Sequence, residues 1–168
     1  MKHPKAWSRF FLVAALITAA LIFYFSAQKR DDSASLSGQI TLRVISFFRP
    51  DFQQLGKADQ RSYFELLNTV IRKNAHFCEF MLLGFNLMAW ARLRDLSMPV
   101  SGCRRRAWGI ATLYAATDEL HQLFVSERAA AVTDVLIDSA GSLAGTFVAT
   151  LGLAMLAALL KRRGRYLS

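Results

Sequence analysis

The sequence predicts an all-α integral membrane protein, a four-helix bundle with amphipathic surface helices in its first outer loop. Three observations carry this. No charged residue occurs between Arg9 and Lys29 or between Asp138 and Lys161, and uncharged apolar runs of about 18 or more residues read as membrane-spanning helices. The chain has 168 residues, 54% of them apolar, which suits a single domain over 1–168. Its 21 Lys and Arg outnumber 12 Asp and Glu, giving a net charge of +9. These basic residues gather at the ends of the apolar runs, where they snorkel to lipid head groups. The distribution excludes a water-soluble globule and a disordered chain. It also turns the basic balance toward a bilayer surface and away from nucleic acid, which would call for a basic stripe on a soluble domain.

The first span, residues 7–27, follows Lys2, Lys5 and Arg9. A signal-peptide cut after Ala27 would place bulky Phe25 where a small residue is wanted, so a retained helix is expected. The outer loop, residues 28–73, is polar, with turn-like patches at Asp31, Asp32 and Ser33 and at Arg49, Pro50 and Asp51. Leu36, Ile40, Val44, Phe47 and Phe48 recur at helical steps, as do Tyr63, Phe64, Leu67, Val70 and Ile71. Both stretches are expected to lie on the bilayer with their aromatic faces down, or to pack over the helix ends. The second span, residues 75–91, is interrupted by His76 and Glu79. After it comes a loop, residues 92–106, with Pro99 and Gly102 as breakers and five arginines. The third span covers 107–125 and the fourth 132–160, longer than a bilayer requires. Cys78 and Cys103 fall toward opposite faces, which excludes a disulfide between them.

With both termini inside, twelve basic residues occupy the inner segments, against Asp95 as their only acid. The positive-inside rule therefore favours a multi-pass protein with both termini cytoplasmic. Eleven of the twelve acids then fall on or near the outer side.

That topology collects ionisable residues from distant parts of the chain. Lys73, His76 and Glu79 open the second span; Asp118, Glu119, His121 and Gln122 close the third; Asp134 and Asp138 open the fourth, with Arg128 between them. A charge at mid-bilayer costs about 2.5 to 3.5 kcal/mol, so such a group marks a functional site. His76 and Glu79 share a helical face, as do Asp118, His121 and Gln122, and as do Asp134 and Asp138. Gly141 and Gly145 form a small-xxx-small pair that permits close helix approach.

Several chemistries suit these residues. His76, Glu79, His121, Asp134 and Asp138 are the types that ligate a divalent zinc, manganese or iron ion. His76, Glu79, Glu119 and His121 are candidates for acid and base work, and Lys73 or Arg128 could hold an anionic head group. The bland alternative is a buried polar network that fixes the bundle.

Arg72-Lys73-Asn74-Ala75-His76-Phe77-Cys78-Glu79-Phe80-Met81-Leu82-Leu83-Gly84 resembles the lysine and Ala-His-Phe-x-Glu-aromatic block of the VanZ-like family. The Asp118-Glu119-Leu120-His121-Gln122 block, Arg128, Asp134-Val135, Asp138 and Gly141 follow that family's later motifs in order, and Phe25-Ser26-Ala27-Gln28 resembles the end of its first helix. Ser126-Glu127 stands where the family typically has Pro-Gly. The resemblance implies a small protein of the bacterial cytoplasmic (inner) membrane, in a family named for a member linked to teicoplanin resistance. The expected function is an outer-leaflet polar pocket that binds an envelope lipid or wall precursor and alters glycopeptide susceptibility. The alternative is a metal-assisted membrane hydrolase or transferase acting on a lipid-linked substrate. A transporter is disfavoured because the polar residues stop in the outer half.

Overall fold

The computed structural model describes residues 4–27, 36–122 and 131–166, with side chains described as far as residue 162. The helices are α1 (Pro4–Ser26), α2 (Leu36–Phe48), α3 (Lys57–Arg94), α4 (Val100–Gln122) and α5 (Val132–Tyr166), with a 3-10 turn at Pro50–Gln54. No strand occurs among these residues. The central helix is α3, which packs against all four others, while α4 also lies against α5.

Pro4 suits the first helical position of α1, because its missing N–H would be unpaired there anyway. Both α1 and α5 are long and apolar enough to cross a membrane, with mean hydropathies of 2.0 and 2.1. Only 22% of the apolar window in α1 and 17% of that in α5 is buried. The core helix of a soluble protein would be mostly covered. Here Phe10, Leu16, Ile17 and Tyr24 of α1 and Val148, Leu151, Met155 and Leu159 of α5 face outward. Polar bonds hold α1 in place: Ser8 Oγ donates to Trp90 O (3.2 Å), Asn86 Nδ2 to Thr18 Oγ1 (3.4 Å) and Tyr114 OH to Ala19 O (2.7 Å).

The second span is not a separate element, because α3 runs unbroken through it from Lys57. At 38 residues α3 is about 57 Å long, nearly twice the roughly 30 Å hydrocarbon core. Its first half includes the stretch around Tyr63 that periodicity had separated from it. Folding back on that half are α2 and the 3-10 turn: Thr41 Oγ1 donates to Asn68 Oδ1 (3.2 Å), and Phe52 lies 6.2 Å from the Tyr63 ring. The buried face of α2 is Gly38, Thr41 and Ile45. Leu36, Ile40, Phe47 and Phe48 stay exposed, which corrects the reading that this apolar stripe packs over the helix ends. Small and weakly polar side chains let two helices approach, so they face α3.

Along the seam between α3 and α5 the backbones touch. A Cβ on Gly141 would overlap the Phe77 carbonyl, one on Gly145 the Met81 carbonyl, and one on Gly84 the Ser142 carbonyl. The spacing of Gly141 and Gly145 anticipated this approach; Gly84, which meets them from α3, it did not. Meanwhile α4 presents a stripe of small buried residues at every fourth position, Cys103, Ala107, Ala111 and Ala115, which ends in Glu119.

The loop before α4 is shorter than predicted, since α4 starts at Val100 and contains Gly102 in its first turn. Asp95 organises it by accepting from Ser97 Oγ (2.6 Å), Ser97 N (3.0 Å) and Met98 N (3.2 Å). Arg104 lies against α5, its guanidinium 4.0 Å from the Phe147 ring centre and its Nη2 donating to Thr150 Oγ1 (3.4 Å). The Ser8–Trp90 contact sets the start of α1 beside the end of α3. One end of the packed helices therefore carries the arginines of 92–106, and the other carries the acids.

Candidate functional site

At the acidic end, α3, α4 and α5 enclose a cleft lined by Arg72, Lys73, His76, Glu119, Gln122, Asp134, Ile137 and Asp138. Each helix supplies its share by simple spacing. Lys73 and His76 are one turn apart on α3, Glu119 and Gln122 one turn apart on α4, and Asp134 and Asp138 four residues apart on α5. Lys73 Nζ donates to Asp134 Oδ1 at 2.6 Å, tying α3 to the first turn of α5. This pair is about one-third exposed, so it sits at the mouth of the cleft. Glu119 Oε1 accepts the backbone N–H of Ala131 at 2.5 Å. That bond satisfies a donor at the start of α5 and fixes where the helix begins. Asp138 is buried, and its Oδ1 has no hydrogen-bond partner among the described residues.

Below the cleft the helices close on each other. The Gly141–Phe77 contact lies one turn beneath Asp138, and the Gly145–Met81 contact one turn further. Trp108 Nε1 donates to Ser139 Oγ (3.0 Å), and Thr112 Oγ1 lies 2.9 Å from the same hydroxyl, which seals α4 onto α5. The cleft is thus open toward the acidic end and blocked toward the basic one.

The other residues singled out from the sequence go elsewhere. Asp118 turns to α1, where Ser26 Oγ donates to its Oδ2 (2.6 Å) and Gln122 Nε2 donates to both Ser26 Oγ (2.7 Å) and Asp118 Oδ2 (3.1 Å). Ser26 and Asp118 are buried and read as structural, while Gln122 also lines the cleft. His121 stacks on Phe23 of α1, ring centres 4.4 Å apart, rather than lining the cleft. Glu79 Oε2 sits 3.8 Å from His76 Nδ1 on the same helix and does not line the cleft either. Arg128 lies outside the described residues.

These placements divide the candidate metal ligands between the cleft and α1. Among the described residues no group of three or more His, Cys, Asp or Glu side chains is arranged to hold a metal ion. His76, Asp134 and Asp138 line the cleft and Glu79 lies beside His76, whereas His121 is turned to α1 and Asp134 is engaged by Lys73. Arg72 was missed in the sequence, although it stands directly before Lys73 at the head of the same block. Ser26 stood in the sequence within Phe25-Ser26-Ala27-Gln28, the short block that resembles the end of the family's first helix.

A family model described as VanZ/LLP1 matches residues 11–156. The chain belongs to the VanZ/LLP1 family. The match takes in α1 of this VanZ/LLP1 protein from Phe11 onward, all of α2, α3 and α4, and α5 as far as Leu156. The whole cleft lies inside it. No curated protein and no solved structure matches the chain.

Proposed function

We propose that this VanZ/LLP1 protein is a multi-pass bundle of four helices, α1, α3, α4 and α5, in the bacterial cytoplasmic membrane, with both termini in the cytoplasm. Its cleft opens at the outer leaflet and binds the anionic head group of an envelope lipid or wall precursor. Through that binding it alters susceptibility to glycopeptides of the teicoplanin type.

One observation carries the reading: charged side chains from three helices converge on one cleft at the end of the bundle opposite the arginine-rich loop. Ionisable groups at membrane depth are costly and are retained where they bind or move something. The orientation follows from basic residues collecting on the cytoplasmic side. Lys73 supplies a cation at the mouth that can contact phosphate while keeping its bond to Asp134, because an ammonium has three donors. The closed seam beneath favours a binding module over a conduit, which would need a route to both faces.

The test is Lys73→Met in a strain whose teicoplanin tolerance depends on this protein. Tolerance should be lost while protein amount and membrane insertion stay unchanged. Full tolerance with that variant would defeat the binding reading.

A further inference from the structure

We infer that the floor of the cleft is a subsite for a primary ammonium group, held by Asp138. The inference rests on the cleft being a head-group site and names the chemistry of what enters it.

Asp138 is 4% exposed, and its Oδ1 is buried with no hydrogen-bond partner among the described residues. Asp138 lines the cleft, and this unpaired oxygen is shielded there from bulk solvent. A buried carboxylate without a donor is expensive, and a charged donor compensates it best. The surroundings have the sign that favours a cation. The carboxylates of Asp118, Asp134, Glu119 and Glu79 all lie within electrostatic reach of Asp138. Of the two cations that line the cleft among the described residues, Arg72 and Lys73, Lys73 is engaged with Asp134 at the mouth.

Size narrows the choice. The cleft leaves about 10 Å³ for the centre of a water-sized group, about the minimum that admits a single one. An –NH3+ group has those dimensions and three N–H donors; a trimethylammonium group is several times larger and donates none. The floor therefore discriminates primary from quaternary amines. With Lys73 at the mouth and Asp138 at the floor, an aminophosphate head group would set its phosphate outward and its ammonium inward.

The same ammonium could come from a lipid head group or from a free amine. The experiment uses the full-length protein in detergent, titrated with dihexanoyl phosphatidylethanolamine, phosphatidylcholine and phosphatidylglycerol, and separately with ethanolamine. Binding is read by native mass spectrometry. The ethanolamine lipid should bind at least about ten-fold more tightly than the choline lipid, the scale of one lost charge-assisted hydrogen bond. Asp138→Asn, nearly isosteric, should erase that preference. Ethanolamine binding as tightly as its lipid would uphold the subsite and identify a soluble amine as the source. Equal binding of the ethanolamine and choline lipids by the wild-type protein would overturn the ammonium subsite, even if Asp138→Asn proved unstable. In that case Lys73-dependent binding of the glycerol lipid would show the cleft reading still standing. Failure of all the lipids to bind would overturn both.

Discussion

Gly145→Ala adds one methyl group at the α3–α5 seam and tests whether that seam is a backbone contact. The new Cβ would overlap the Met81 carbonyl oxygen and lie 2.8 Å from both Met81 C and Phe85 N. Carbon contacts settle at about 3.5 to 4.0 Å, so the two helices must part by roughly 1 Å at this level. The obstructing atoms are backbone within a helix and cannot rotate aside. Overpacking of this kind costs about 1 to 3 kcal/mol and occasionally more, and the upper end is expected here. Alanine's better helix propensity returns up to about 1 kcal/mol of that. The control is Gly152→Ala on the same helix, where nothing lies within 4 Å of the added atom. The assay is reversible unfolding in mixed micelles titrated with dodecyl sulfate, run on both variants and the parent. Gly145→Ala should unfold at clearly lower detergent fraction, and Gly152→Ala at the parental value or slightly above it. Equal stability of the two variants would refute the close-packed seam, and with it the sealed floor of the cleft.

Ser26→Ala removes the hydroxyl that donates to Asp118 Oδ2 and accepts from Gln122 Nε2. In the same unfolding assay it should cost about 1 to 3 kcal/mol, the penalty for orphaning buried polar atoms, whereas exposed Ser46→Ala should stay within roughly 0.5 kcal/mol of the parent. The Asp95 carboxyl is held below the usual carboxylate range, chiefly by the Ser97 hydroxyl and then by the Ser97 backbone N–H. A depressed folded-state value means the stabilisation is complete above the unfolded pKa and disappears as pH falls through the folded one. Amide exchange at Ser97 and Met98, relative to amides inside α3, should therefore accelerate on acidification through that range in the parent and show no such step in Asp95→Ala.

The helical segments were legible because uncharged runs and helical spacing are local signals. The continuity of α3 was not, since its polar first half and its apolar second half differ in composition without any Gly or Pro break between Lys57 and Phe80. Composition separated what the backbone joins. The apolar stripe of α2 was expected to lie on the bilayer or to pack over the helix ends, and the periodicity did not show that Gly38 and Thr41 would form the buried face, because close approach between helices rewards small side chains over bulky ones. Spacing also placed Asp118 and His121 on one face of α4, and they do share a side. That side is turned to Ser26 and Phe23 of α1, a choice of neighbour that no periodicity contains. Lys73 and Asp134, by contrast, were grouped from topology alone, and the two side chains meet.

The most direct test of the head-group cleft is the lipid that accompanies the protein out of its native membrane. Wild-type and Lys73→Met proteins would be purified in parallel through identical detergent washes, and their extracted lipids quantified per protein by mass spectrometry. The wild-type protein should retain a head-group species in stoichiometric amount, and the variant should lose that species while keeping the same background of annular lipid. Identical lipid content in the two preparations would contradict the account.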